Sequence, residues 1–104
     1  MARLLIRQDQ QILRNIRLYS ADLKIGRSSE CEIQLSDPGV SRKHARITLA
    51  DGIYYLEDLG SRSGVFLNGE KIQRTQLHSG DKLSIHSFQL EFVAEEESDA
   101  EPAA

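Results

Sequence analysis

Three short stretches of this sequence place guanidinium groups beside hydroxyls: Gly26-Arg27-Ser28-Ser29, Ser41-Arg42-Lys43-His44 and Ser61-Arg62-Ser63-Gly64. Each lies among turn-forming residues, where backbone amides are free as well. Guanidinium forks, hydroxyl protons and loop amides together meet the charge and the acceptor oxygens of a phosphate group. Asp37-Pro38-Gly39, between the first two stretches, is a turn signal. Pro38 presets φ at one central position, and Gly39 is expected to supply a positive φ at the next. The chemistry implied is the binding of a small anion, provided that a rigid frame brings these loops to one place.

Rival chemistries find less support. Ser41, His44 and Asp58 contain the letters of a hydrolase triad, but Ser41 and His44 sit at a strand start with no nucleophile elbow. The three histidines (His44, His78, His86) and the single Cys31 show no zinc-ligand spacing. No glycine-rich nucleotide loop opens a helix. An enzyme is the class with least support, and no metal or cofactor is implied. Cys31 leaves no disulfide framework, points to a reducing compartment, and reads as a small buried hydrophobe beside Ile33.

A chain of 104 residues is one domain with one core. The formal charge of −3 hides an asymmetry. Glu95, Glu96, Glu97, Asp99 and Glu101 crowd the C-terminal stretch; of the 16 acidic residues the other 11 face 13 basic ones, a net of +2. That balance opposes a nucleic-acid or membrane partner, which requires a concentrated basic face. A local basic patch still suffices for a small anion. The start, Met-Ala-Arg-Leu-Leu-Ile-Arg, fits neither a signal peptide nor a membrane span, so a cytoplasmic protein is expected.

The elements that must hold the loops read as strand after strand. Leu4-Leu5-Ile6 is a short apolar run, followed by a turn at Gln8-Asp9-Gln10. Gln11 to Tyr19 reads as a strand in which Ile12-Leu13 breaks the alternation. Leu23-Lys24-Ile25 stops at Gly26. His44 to Leu49 alternates and meets Asp51-Gly52, a hairpin signal, before the returning strand Ile53 to Glu57. Val65-Phe66-Leu67 ends at a second such signal, Asn68-Gly69. Ile72 and Leu77 stand as isolated apolar anchors. Lys82 to Ile85 and Ser87 to Val93 form a last pair in period two. Tyr54, Leu56 and Phe66 are expected in the core. The fold class is all-β, a two-sheet β-sandwich over residues 1–93, with residues 94–104 a disordered acidic tail. In such a sandwich the loops after Ile25, before His44 and after Asp58 can share one end.

Gly26-Arg27, Ser41-Arg42-Lys43-His44, Asp58-Leu59-Gly60-Ser61-Arg62-Ser63-Gly64, Asn68-Gly69 and Leu77 with Gly80-Asp81 occur here in order, and together they resemble the forkhead-associated (FHA) domain family. The resemblance runs from about Leu23 to Val93. It implies a non-catalytic β-sandwich that reads phosphothreonine in a protein partner, so a Ser/Thr kinase or its substrates are the implied partners. It further implies that Arg27, Ser41, Arg42 and Arg62 meet the phosphate and that Ser63 meets the peptide backbone. Gly26, His44, Gly64 and Asn68 would support the site.

Three positions depart from the family pattern. Ser63-Gly64 stands for the usual Asn-Gly, and a serine has shorter reach and lacks the amide's paired donor and acceptor. Arg62 replaces a small hydroxyl residue. His86 replaces a common glycine in the closing turn, a change read here as harmless. Each site residue also has a plainer reading: Arg27 as an exposed partner of Glu30, worth at most ~1 kcal/mol, Ser41 as a turn residue, and Arg42-Lys43 as solvated charges. The alternative function is a docking module of the same fold that binds through a sheet face regardless of phosphorylation.

Overall fold

The computed structural model describes residues 2–94. Eleven strands follow in chain order: β1 (Ala2–Gln8), β2 (Gln11–Arg17), β3 (Asp22–Gly26), β4 (Ile33–Gln34), β5 (Ala45–Ala50), β6 (Ile53–Asp58), β7 (Val65–Leu67), β8 (Glu70–Ile72), β9 (Arg74–Gln76), β10 (Lys82–Ile85) and β11 (Phe88–Ala94). They form a six-stranded sheet in the order β2-β1-β11-β10-β7-β8 and a five-stranded sheet in the order β4-β3-β5-β6-β9. Every pairing is antiparallel except β3 with β4.

The strands exist because their apolar residues alternate, and the alternating set is what the sandwich buries. Leu4 and Ile6, Leu23 and Ile25, Ala45 and Ile47, Leu83 and Ile85, and Phe88, Leu90 and Phe92 form one core between the sheets. Burying a large apolar side chain stabilises by about 1.5–3 kcal/mol, so this core is the rigid frame on which the loops rest. Tyr54 packs edge-on against Phe92, with ring centroids 5.3 Å apart. The two hairpin signals are realised: Asp51-Gly52 and Asn68-Gly69 all have positive φ, the geometry that matches the twist of the flanking strands.

Several expectations need correction. In β2, Ile6 lies opposite Arg14 and Arg7 opposite Ile12, so Leu13 is an extra residue in a bulge; that bulge is the broken alternation seen in the sequence. Phe66 is not in the core. Val65 is buried and Leu67 packs against the core, so the period of two turns the intervening Phe66 to the other face, opposite Ser84. Ile72 lies within β8, and Leu77 follows β9, donating its N–H to the Tyr54 carbonyl at 2.8 Å. β11 includes Ala94, paired with Ala2; the rest of the expected tail, 95–104, lies outside the described residues.

Antiparallel connectivity sends the ends of β3 and β6, the starts of β5 and β7, and the β10–β11 turn to one pole of the sandwich. Ala94 stands at the other.

Candidate functional site

At the first of these poles, backbone hydrogen bonds carry the β3–β5 ladder beyond the strands themselves. The Arg27 N–H donates to the Ser41 carbonyl at 3.0 Å, and the Ser28 N–H donates to the Arg42 carbonyl at 3.2 Å. The His44 N–H reaches the Ile25 carbonyl at 2.8 Å. Arg27 and Ser41 are therefore fixed side by side. Gly26 makes this approach possible, because a Cβ at residue 26 would run into the Arg42 carbonyl.

His44 joins the third loop to the first two. It is the one buried polar side chain among the described residues. Its Nδ1 accepts the Ser41 N–H at 3.1 Å, which leaves the ring proton on Nε2 to donate to the Gly64 carbonyl at 2.8 Å. The Leu59 N–H donates to the His44 carbonyl at 3.0 Å. One imidazole thus ties the loop before β5 to the loop before β7. The latter is closed on itself: the Ser61 N–H donates to Asp58 Oδ1 at 2.8 Å, and the Gly64 N–H donates to Ser61 Oγ at 3.0 Å.

Within this frame Arg27, Pro38, Gly39, Val40, Ser41, Arg42 and Arg62 line an open cleft of about 230 Å³. Three of the lining side chains are guanidinium groups and none is a carboxylate. Arg27 is held by its Nε, which donates to the Val40 carbonyl at 3.0 Å, so its two terminal nitrogens remain for a ligand. Ser41 Oγ accepts the Arg62 N–H at 3.0 Å; the hydroxyl keeps its own proton to donate. The guanidinium groups of Arg42 and Arg62 belong to exposed residues. The arrangement offers positive charge and donors, with no acceptor group of like strength, which suits a doubly charged oxyanion.

The sequence-predicted residues divide cleanly. Arg27, Ser41, Arg42 and Arg62 come together in the cleft. Ser63 does not line it; its Oγ donates to the Gly39 carbonyl at 2.9 Å and so braces the cleft wall. Gly26, His44 and Gly64 sit in the supporting frame just described. Asn68 lies at the far end of β7 from Gly64, where it shapes the β7–β8 turn and its side chain bonds Asp81 Oδ1 and the Lys82 N–H, each at 3.0 Å. The three residues of β7 carry the chain away from the cleft before Asn68 is reached.

The turn at Asp37 is also built differently from the sequence reading. The Val40 N–H donates to the Asp37 carbonyl at 2.9 Å and the Gly39 N–H to Asp37 Oδ1 at 2.8 Å. Gly39 is not among the residues with positive φ. What calls for glycine there is space, because a Cβ would run into the ring of His86. That ring comes from the β10–β11 turn, and its Nε2 lies 3.4 Å from Asp37 Oδ1. The change to histidine at position 86, read from the sequence as harmless, is thus a contact of the cleft wall; no spacing or periodicity links position 86 to positions 37–39.

Cys31 is buried, and its Sγ donates to the carbonyl of the cleft residue Arg42 at 3.2 Å. Burial pushes this thiol up, with Glu32 adding to the effect. Among the described residues no three His, Cys, Asp or Glu side chains gather as a metal site. No helix of the described residues is long and apolar enough to cross a membrane.

Residues 23–86 match the FHA-domain family. The chain is 36% identical over 74 residues to the glycogen accumulation regulator GarA of Mycolicibacterium smegmatis, covering 71% of this chain and 47% of GarA. It is 40% identical over 68 residues to the oxoglutarate dehydrogenase inhibitor of Corynebacterium diphtheriae, covering 65% of this chain and 48% of that protein. The chain spans about half the length of these curated relatives. A solved structure of Mycobacterium tuberculosis EmbR in complex with a low-affinity phosphopeptide superposes with a TM-score of 0.79 at 29% identity, over 88% of this chain and 24% of that one. The two relatives are named as a regulator and an inhibitor.

Proposed function

The chain belongs to the FHA-domain family, and on that premise we propose that it is a non-catalytic recognition module for phosphothreonine-containing protein segments. Arg27, Ser41, Arg42 and Arg62 bind the phosphate, and Ser63 meets the peptide backbone through the lone pairs left on its Oγ. The observation that carries this reading is the convergence of three guanidinium groups and a free hydroxyl proton on a cleft without carboxylates. A phosphothreonine brings nearly two negative charges and three strong acceptor oxygens. Hydrogen bonds to charged groups are worth about 1.5–3 kcal/mol each, so three of them approach the ~8 kcal/mol of a micromolar complex. An unmodified threonine offers one hydroxyl and no charge, and leaves the guanidinium groups in water.

The partners belong to Ser/Thr-kinase signalling: the kinase itself or its substrates. Support comes from the phosphopeptide held by EmbR and from the regulatory names of the relatives. A cytoplasmic setting is part of the same proposal, since the free Cys31 thiol persists in a reducing compartment. An oriented library of phosphothreonine peptides, run beside its dephosphorylated copy, tests the reading. Retention of the phosphorylated library, lost on Arg27→Ala in a protein that stays folded, is the expected result. Equal retention of the two libraries would refute it.

One observation favours a second reading. The Ser63 hydroxyl proton is directed to Gly39 and is not available to a peptide carbonyl. In that reading the domain docks to its partner through a sheet face without regard to phosphorylation. Ser63→Asn separates the two: a restored amide tightens phosphopeptide binding if the cleft is used and changes nothing if it is not.

A further inference from the structure

The proposal that follows rests on the phosphate reading of the cleft and concerns a residue outside the three loops. We infer that His86 is a positioning residue for the phosphate cleft: its imidazole props the Asp37–Val40 turn from the opposite sheet, and gaining a proton tightens that prop.

The turn is the wall that needs holding. It contributes Pro38, Gly39 and Val40 to the cleft, and the Val40 carbonyl fixes Arg27 through Nε at 3.0 Å. A displacement of the turn therefore displaces the guanidinium that the phosphate meets. Ser63 holds the turn by the Gly39 carbonyl, and Asp37 holds it by the Gly39 N–H. His86 acts on both of these residues at once. Its ring lies where a Gly39 Cβ would be, and its Nε2 is 3.4 Å from the same Asp37 oxygen that accepts the Gly39 amide.

His86 is well mounted for this role. It occupies the tight turn between β10 and β11, where Ile85 pairs with Phe88, and its own φ is 55°. The neighbouring Ser87 Oγ accepts from Gln8 Nε2 at 2.8 Å, which ties the turn to the end of β1. The ring thus reaches from the six-stranded sheet to a loop of the five-stranded one. On the elements that meet it, the other charged side chains are Asp9, next to Gln8 on the β1–β2 turn, and Arg27, Arg42 and Arg62, which line the cleft together with Gly39.

Histidine is the side chain that changes charge between pH 5 and 8. A protonated His86 forms an ion pair with Asp37 and sets a further positive charge behind Gly39. A neutral one keeps the ring contact and loses the pair. The prop, and with it the hold on phosphate, is strongest at the acid end of that range.

The test compares the wild-type chain with His86→Asn. Asparagine accepts a positive φ, carries no charge and is too short to reach Asp37. The probe is free phosphothreonine, titrated while amide chemical shifts are followed, at about pH 6 and about pH 8. Protonation of the probe affects both proteins alike and cancels in their ratio. The expected result is a variant-to-wild-type ratio of dissociation constants roughly 2- to 5-fold larger at the lower pH than at the higher, the range of a partly exposed ion pair, with the gap that remains at the higher pH due to the lost ring contact. A ratio that does not move with pH overturns the role. Should neither protein bind phosphothreonine, the phosphate reading fails separately, and the ligand-free protein decides the prop. A Gly39 amide that titrates with the His86 ring supports it, and a Gly39 amide indifferent to that titration overturns it.

Discussion

Replacing His44 by alanine disconnects the loops while leaving every cleft cation in place. The imidazole accepts the Ser41 N–H and donates to the Gly64 carbonyl from a position with no exposure to solvent. Without it the buried Gly64 carbonyl has no donor, at a cost of about 1–3 kcal/mol, and the half-buried Ser41 amide adds about 1 kcal/mol more. The space vacated by the ring contributes about another 1 kcal/mol, so the total is roughly 3–5 kcal/mol. A domain of this size has about 5–15 kcal/mol in all, so the variant folds but its urea midpoint drops steeply. Its phosphate affinity also falls, because Ser41 and the Arg62 amide that bonds to it are no longer held against the strands. Lys43→Ala, on the exposed neighbour, is the control and costs less than about 0.5 kcal/mol. A loss below about 1 kcal/mol on His44→Ala, or phosphate binding that survives unchanged, would refute the role of His44 as the tie between loops.

Gly26→Ala drives a methyl group into the Arg42 carbonyl, and overpacking of this kind costs about 1–3 kcal/mol; a midpoint equal to wild type in urea unfolding would contradict the close approach. Ser63→Ala removes the bond to Gly39 and should weaken phosphothreonine binding by about 2- to 10-fold, the worth of one neutral hydrogen bond; unchanged affinity would show that the wall stands without it. Burial raises the Cys31 thiol, so at neutral pH a thiol reagent should modify it in urea and hardly at all in the native protein, whereas equal rates would place it at the surface. The Arg46 side chain lowers Asp22 through paired bonds at 2.8 Å, and the Lys24 amide lowers Glu32 through a bond also at 2.8 Å. Because both carboxyls are depressed on folding, their stabilisation is fully present above the ordinary carboxylate range and is lost as pH falls below that range through the depressed folded values. Asp22→Asn should therefore flatten the acid limb of a stability–pH curve, and an unaltered limb would contradict this.

What the sequence disclosed and what it withheld follow from the physics of short strands. Period-two runs such as Leu83 with Ile85 and Phe88-Leu90-Phe92 announce their buried face, and Asp51-Gly52 and Asn68-Gly69 announce hairpins because few residue pairs tolerate two positive φ values. β4, β8 and β9 have two or three residues each, too few for a period to show, and they exist because neighbouring strands offer unpaired edges. The misplacement of Phe66 has the same root, since three residues do not say which two face inward. The cleft was legible as a set of residue types, Arg27, Ser41, Arg42 and Arg62, and the family resemblance grouped them. Its supports were legible only in part. Gly26 and His44 act through contacts with Arg42 and Gly64 that follow from chain crossing, Asn68 belongs to another turn, and the contact of His86 with Gly39 joins residues 47 positions apart in the sequence. Such a pairing is set by the stacking of two sheets, which no local pattern encodes.

The most direct test of the central claim is a titration of the free chain with phosphothreonine and, separately, with threonine, following the backbone amides of Arg27, Ser41, Arg42 and Arg62. Saturable shifts of these four with phosphothreonine, and none with threonine, are expected. Shifts that are absent, that occur equally with threonine, or that gather on a sheet face away from this pole would contradict it.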